Sequence, residues 1–120
     1  MLKNRIKSFG YAYQGLATLF KTQIHARIHL TALIIVVVAG FYFKISTTEW
    51  CFVALTSAMV LAAEAMNTAI EFIVDLVSPQ YHDLAGKAKD VAAASVLLAA
   101  IGAIVVGFLI FLPKIIVWMG

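Results

Sequence analysis

Charged side chains are scarce in this sequence. They make up 12% of the 120 residues, whereas apolar residues make up 63%, and a typical globular protein has roughly 25% charged residues. A soluble domain of this size cannot bury so much apolar surface in its own core. The composition therefore argues against an ordinary soluble protein. It predicts a single domain, residues 1–120, that is largely solvated by lipid.

Cysteine and proline are also rare. The single cysteine, Cys51, excludes an internal disulfide and a cysteine-based metal site. The two prolines, Pro79 and Pro113, each follow a long apolar run, which predicts that helices end there. No Walker-type GxxxxGK[ST] motif is present, and this excludes a P-loop. Neither a nucleic-acid partner nor a cleavable signal peptide in the first 27 residues is expected.

Three long stretches with few charges predict an all-α integral membrane fold. The expected transmembrane helices are about 27–44, 50–77 and 88–112, since a helix needs roughly 20 residues to cross a bilayer. Before them, apolar residues recur at helical spacing over about residues 3–22, which predicts an amphipathic helix lying in the membrane surface. On the last span, small residues recur every fourth position and favour close helix packing: Ala99, Ala103 and Gly107.

The connections between these spans differ in character. Thr47 or Thr48 is expected to cap the second transmembrane helix, and SPQYHDLAGKAKD (78–90) is expected to be a polar loop. Seven Lys and Arg residues lie before the first span or in this loop, whereas Lys44 and Lys114 lie on the other side. The positive-inside rule predicts a multi-pass plasma-membrane protein with a cytoplasmic N-terminus and 78–90 loop, and an external C-terminus.

The second span carries a polar stripe. Because each helical residue turns about 100°, Glu64, Asn67, Glu71 and Asp75 fall within an arc of about 80°. If Trp50 marks the outer boundary, Glu64 lies about 21 Å inward and Glu71 about 31 Å inward, in a hydrocarbon core about 30 Å thick. The stripe is therefore expected to connect the inner third of the membrane to cytoplasmic water.

Acids in such a segment need a physical explanation. An ionised carboxylate near the bilayer centre costs something like 2.5–3.5 kcal/mol, and intramembrane ionisable groups are by default functional. Taken alone, Glu71 and Asp75 fit ordinary interfacial charges, but Glu64 lies deeper. Lys87, Lys89 or a divalent cation with oxygen ligands would offset the acids. The combination of this stripe with the 78–90 loop indicates a site for Mg²⁺ and polyphosphate.

Two segments carry a family resemblance. EAMNTAIEFIVDL (64–76) and YHDLAGKAKDVAAASVLL (81–98) closely resemble the small prokaryotic diacylglycerol kinase family of membrane lipid kinases, whose hallmark is E-x-x-N-[ST]-A-I-E followed by a K-D pair. The stretch IFLPK (110–114) is more similar to the undecaprenol kinase branch. The resemblance implies a homotrimer of three-span subunits that uses Mg-ATP to phosphorylate a lipid alcohol. The expected substrate is undecaprenol, which would become undecaprenyl phosphate, or alternatively diacylglycerol, which would become phosphatidic acid.

The resemblance also implies roles for individual residues. Glu64 matches the general base, Asn67 the supporting amide, and Glu71 a ligand of the metal and of ATP. The remaining ATP-binding residues implied are Gln80, Tyr81, His82, Lys89 and Asp90.

One position departs from the family pattern. Members usually carry a second metal-binding glutamate in a segment like E-x-N-x-x-x-H, and Gln23 takes that place in TQIHARIH (22–29). An amide oxygen can ligate Mg²⁺ but brings no charge. Two other classes therefore stay open: a small proton or cation carrier that uses the acidic stripe as a relay, and a non-catalytic membrane subunit that has lost metal binding.

Overall fold

The computed structural model describes all 120 residues as four helices connected by short turns. The helices are α1 (Leu2–Thr22), α2 (Ile24–Phe43), α3 (Thr47–Val77) and α4 (Asp83–Met119). No strand is present, so the all-α prediction is confirmed. Helix α3 packs along much of α4 and also contacts α2 and α1. The polar stripe therefore lies on the central helix of the bundle.

The N-cap of helix α3 lies one residue before Thr47, the first of the two predicted caps. Ser46, rather than Thr47 or Thr48, is the N-cap residue, and its hydroxyl accepts a hydrogen bond from the Glu49 backbone N–H. The Glu49 carboxylate in turn accepts one from the Ser46 backbone N–H at 2.9 Å. This reciprocal capping box satisfies two backbone donors that the helix itself cannot pair, which explains why Ser46 is preferred over the threonines.

Helix α4 differs from the sequence prediction at both ends. The expected polar loop 78–90 is shorter in the structure, because His82 caps the helix by accepting the Leu84 backbone N–H on Nδ1 at 3.1 Å. Lys89 and Asp90 therefore lie inside the helix and not at its start. At the other end α4 continues through Pro113 to Met119. A proline removes one helical hydrogen bond, but a buried or lipid-facing helix tolerates this where neighbouring groups compensate.

The connection between α2 and α3 holds the best-packed part of the chain. Ile45, Val53 and Ile110 form a small buried cluster, with Trp50 and Phe111 packed against it. Nearby, Lys114 Nζ lies 2.6 Å from Glu49 Oε2 and donates to the Ile110 carbonyl at 3.2 Å. These contacts fix the α2–α3 turn against the last turns of α4.

Most of the remaining surface is apolar. Only 10 of the 120 residues are buried, and large exposed apolar side chains extend along both α2 and α4, the reverse of the pattern in soluble monomers. By length and composition, α2 and α4 are long and apolar enough to cross a membrane. The fold therefore supplies two candidate spans, with α3 and its acids packed between them.

Candidate active site

The four polar residues of the α3 stripe have different environments. Glu64 is buried, with 3% of its surface exposed. Asn67 and Glu71 are partly buried, and the Asn67 side-chain amide donates to a Glu71 carboxylate oxygen at 3.2 Å. Asp75 is exposed and pairs with Lys89 of α4 at 2.5 Å. Along one face of α3 the side chains therefore pass from a buried acid to a solvated ion pair.

Glu64 receives no lysine. Its carboxylate instead contacts His29 of α2, whose Nε2 atom lies 3.2 Å from Glu64 Oε1. The two atoms do not form an aligned hydrogen bond, so Glu64 Oε1 remains a buried oxygen without a hydrogen-bond partner. A second buried oxygen, Asn67 Oδ1, is also unpaired. Such atoms are costly unless a ligand or a moving proton uses them.

The residues of the 78–82 connection line a small cleft with the ends of α3 and α4. Its volume is about 160 Å³. Gln80, Tyr81, His82 and Lys89, all of which the sequence assigned to nucleotide binding, lie on its wall together with Asp75. Asp90 is exposed and does not line this cleft. The structure thus brings together four of the five residues named for this end of the site.

Gln23 forms no recorded hydrogen bond with the stripe or with the residues of the 78–82 connection. It forms the junction between α1 and α2, and its side-chain amide donates to Thr22 Oγ1 at 3.3 Å. Its hydrogen bond does not go to Glu71 or Asn67. Within a single chain, no hydrogen bond therefore joins Gln23 to Glu71, the two residues that were expected to bind one metal ion.

The residues fit a magnesium ion that arrives with nucleotide. No group of three or more His, Cys, Asp or Glu side chains is positioned to hold a metal alone. Glu71 and the unpaired Asn67 Oδ1 are neighbouring oxygen donors on α3. Mg²⁺ commonly binds through one or two protein oxygens while phosphates and waters complete its coordination. A carboxylate beside an unpaired amide oxygen meets that requirement.

A larger apolar cleft lies between α1 and α3; Glu64 does not line it, but Ala65 and Thr68 do. Its volume is about 540 Å³, and its walls include Leu16 and Leu19 of α1 with Thr68 and Phe72 of α3. Thr68 is one helical turn beyond Glu64 and donates its hydroxyl to the Glu64 backbone carbonyl at 2.9 Å. The stripe is thus flanked by an apolar cleft along α1 and a polar cleft at the 78–82 connection.

His29 is the one residue near the carboxylates that the sequence reasoning did not assign. It lies in the segment TQIHARIH (22–29), at the start of the first expected span, where helical spacing pairs it with no carboxylate. Helical phase on α3 placed the acids correctly relative to one another, yet it carried no information about which face of α2 would meet them. The histidine of the E-x-N-x-x-x-H pattern was the only available signal.

Comparison with known proteins finds one matching family and several relatives. The family model described as prokaryotic diacylglycerol kinase matches residues 10–111. The chain is 42% identical over 113 residues to a diacylglycerol kinase of Synechocystis, covering 93% of this chain and 65% of that protein. It is 37% identical over 114 residues to the undecaprenol kinase of Bacillus subtilis, covering 95% and 93%. It is 31% identical over 100 residues to the diacylglycerol kinase of Escherichia coli, covering 83% and 82%.

These matches define the class of this protein as the lipid kinases. The chain belongs to the prokaryotic diacylglycerol kinase family, and the resemblance found in the sequence is confirmed. The chain spans 65% of the length of the Synechocystis relative.

Proposed function

We propose that this protein transfers the γ-phosphate of ATP to undecaprenol and produces undecaprenyl phosphate in the plasma membrane. The observation that carries the proposal is the position of Glu64. It is a buried carboxylate on a helix face that continues through Asn67 and Glu71 to the Asp75–Lys89 pair. A lipid hydroxyl and a nucleotide can therefore approach one continuous row of polar groups from opposite ends.

Three membrane-spanning helices fit this arrangement. The two ion pairs between α3 and α4 involve Glu49 at one end of α3 and Asp75 at the other. These positions are about 39 Å apart along the helix, at about 1.5 Å per residue, and a bilayer core is about 30 Å thick. Both charged pairs thus fall outside the hydrocarbon when α3 spans it. The distribution of Lys and Arg supports a cytoplasmic location for the Asp75 end.

The polar groups of the stripe suit proton transfer and phosphate binding. Glu64 would accept the hydroxyl proton as the substrate oxygen attacks phosphorus, since a positioned base can act at about 3 Å. Lys89 would leave Asp75 and neutralise phosphate oxygens, and Gln80, Tyr81 and His82 would hold the rest of the nucleotide. Phosphoryl transfer depends chiefly on such positioning and charge stabilisation.

Glu71 and Asn67 would hold Mg²⁺ through their side-chain oxygens. When bound, the ion supplies charge neutralisation at the phosphates. Gln23 is a further candidate ligand if a bound nucleotide draws the α1–α2 junction towards Glu71. Since its oxygen is neutral, it would contribute less attraction than a glutamate.

Two lipids are supported by relatives. The Bacillus subtilis protein, nearly all of whose length is matched, is named undecaprenol kinase, and it favours undecaprenol here. The Synechocystis relative is more similar in identity and is named diacylglycerol kinase, so diacylglycerol is the second candidate. The α1–α3 cleft offers apolar walls and reaches Ala65 and Thr68, which neighbour Glu64 on α3, and such walls suit a prenyl or an acyl chain. The family match favours both lipids over a cation carrier.

A homotrimer is the proposed assembly. So little of the single chain is buried that its apolar helices must contact lipid or further copies. The small residues Ala99, Ala103 and Gly107 provide a face on α4 where a second helix can approach closely. Mass measurement of the particle in nanodiscs tests the number of copies.

The proposed reaction is tested with purified protein in lipid nanodiscs. Labelled phosphate from γ-labelled ATP should enter extracted lipid when undecaprenol is present, and more slowly when diacylglycerol replaces it. Glu64→Gln should lower kcat by about 100- to 10,000-fold, the usual contribution of a general base. Glu49→Gln is the matched control, because it makes the same substitution on α3 at the far end from Lys89.

Three outcomes separate the alternatives. Equal activity of Glu64→Gln and the parent protein would remove Glu64 from the base role. Label appearing faster in diacylglycerol than in undecaprenol would reverse the substrate assignment while keeping the reaction. Absence of label from both lipids, with cation flux but no ATP turnover, would favour the carrier.

A further inference from the structure

His29 contacts the buried carboxylate from a different helix. Its side chain is 26% exposed, while that of Glu64 is 4% exposed. The imidazole therefore lies between the carboxylate and the surface, with Nε2 facing Glu64 Oε1 at 3.2 Å. If both atoms presented lone pairs at this distance they would repel, so one of them carries a proton, and where Glu64 is to act as a base that atom is Nε2. A small rotation of the ring aligns that N–H with the unpaired oxygen.

No other side chain forms a recorded ion pair or hydrogen bond with the Glu64 carboxylate. On α3 itself, Thr68 bonds the Glu64 backbone carbonyl and Asn67 bonds Glu71. Glu71, the next carboxylate on the helix, is about 10 Å further along the axis. The two ion pairs fix an antiparallel register of α3 and α4, and this register makes Ala99 and Ala100 level with Glu64.

Helix α1 adds no charge near this carboxylate either. The α1 residues lining the neighbouring cleft are uncharged: Ala12, Gly15, Leu16, Thr18 and Leu19. On α2, Arg27 is exposed and lines a separate depression on the outer side with Ile24 and Thr31. His29 is thus the only titratable side chain whose contact with Glu64 the structure records.

We propose that His29 is a positioning residue for the general base, an inference that rests on the proposed function. Its Nε2–H is donated to Glu64 Oε1 and fixes the rotation of the carboxylate, so that Oε2 faces the lipid hydroxyl. In the reaction the substrate O–H bond breaks and its proton forms a bond to Glu64 Oε2. The substrate oxygen bonds to the γ-phosphorus as the bond from phosphorus to the leaving oxygen of ADP breaks. The imidazole gives up no proton in this step.

The physical basis is the difference between an oriented and an unoriented base. A buried carboxylate without a hydrogen bond has no preferred rotation and is poorly solvated. A hydrogen bond to a charged group is among the stronger ones in proteins. Since this bond acts on the base and not on the nucleotide, its loss should lower kcat and leave the KM for ATP unchanged.

The experiment compares two substitutions at the same position. His29→Gln keeps a side-chain N–H donor at similar reach, whereas His29→Phe keeps a ring without a donor. We expect His29→Phe to lower kcat for lipid phosphorylation by about 10- to 100-fold, the range for a lost hydrogen bond to a charged group. His29→Gln should retain kcat within about fivefold of the parent. If His29→Phe does not fold in detergent, His29→Met, which also lacks a donor, replaces it.

His25 supplies the matched control. It lies one turn earlier on α2 and is exposed, so His25→Gln and His25→Phe should both keep the parental kcat. Equal kcat values for His29→Phe and the parent would overturn the proposal. So would equal losses in His29→Gln and His29→Phe, or a rise in the KM for ATP that matches the fall in kcat, because those results indicate a structural role.

The proposed function and this inference fail in different ways. If the parent protein phosphorylates neither undecaprenol nor diacylglycerol, the function is wrong and the positioning role falls with it. If the parent is active and the donor at residue 29 makes no difference, only the positioning role is wrong.

Discussion

Gly40 should be intolerant of even a methyl group. A Cβ atom built at this position lies 2.5 and 2.8 Å from two ring carbons of Trp50 and 3.1 Å from the Ile45 side chain. The indole has little freedom to withdraw, because its centroid is 5.0 Å from the Phe41 ring and it packs on the buried Ile45 cluster. Alanine at residue 40 therefore forces the α2–α3 connection apart.

The size of the effect follows from two opposing terms. Overpacking a filled site costs about 1–3 kcal/mol, while replacing a helical glycine with alanine gains about 1 kcal/mol. Gly40→Ala should thus destabilise the protein by about 0–2 kcal/mol. Gly102→Ala is the control, since nothing lies within 4 Å of its Cβ position, and it should show the gain alone. The two variants should differ by about 1–3 kcal/mol.

The free energy of unfolding can be measured by titrating sodium dodecyl sulfate into purified protein in mild detergent. The same measurement is made in a Trp50→Phe background, because this substitution removes the two ring carbons that the alanine methyl group would meet. The loss of unfolding free energy caused by Gly40→Ala should be smaller in that background than in the parent protein. Equal stability of Gly40→Ala and Gly102→Ala would refute the reasoning, as would an unchanged penalty in the Trp50→Phe background.

The remaining predictions concern charge. The hydrogen bond from Lys114, followed by that from the Ser46 backbone, lowers the pKa of Glu49 below its ordinary value. A lowered pKa stabilises the fold above the unfolded-state value and is lost as pH falls through the folded-state value. Between about pH 5 and about pH 3 the parent should therefore lose more stability than Glu49→Gln, and equal losses would contradict this. Gln23→Glu should lower the Mg²⁺ concentration for half-maximal activity by about 10- to 30-fold, from about 2 kcal/mol of attraction at about 4 Å in water; an unchanged value would exclude residue 23 as a ligand.

Much of the fold follows from patterns local to each helix. Helical spacing and charge scarcity predicted the all-α class, and the continuous helix α1 runs through Gly10 and Gly15. The ends of α4 were harder, because they depend on single side chains that interact in three dimensions. His82 captures the helix start with its own ring nitrogen, and Lys114 reaches Glu49 across the bundle beyond Pro113. A proline therefore predicts the end of a helix only where no side chain beyond it stabilises the next helical turn.

In the candidate site, too, the features set by one helix could be predicted and those set by contacts between helices could not. The phase of α3 predicted that Glu64, Asn67, Glu71 and Asp75 share a face, because that depends on one helix. The partner of each acid depends on the register between helices. The spacing of residues along one helix does not specify that register. The sequence offered Lys87 and Lys89 as partners for the acids, and in the structure Lys89 forms an ion pair with Asp75. Glu64 instead faces His29.

The two pairs also explain how one helix face can serve two chemical steps. Asp75 and Lys89 are well exposed, and exposed pairs are typically worth only about 0.2–1 kcal/mol. A phosphate can therefore take Lys89 from Asp75 at little cost. Glu64 is buried, so the same exchange there would leave an unpaired charge in a poorly solvated site. In the proposed positioning role, the His29 N–H orients the carboxylate through a hydrogen bond and is not exchanged for another partner. In the proposed reaction, exchange is thus cheap at the Asp75 end, where nucleotide would bind, and the Glu64 carboxylate is held in one orientation at the lipid end.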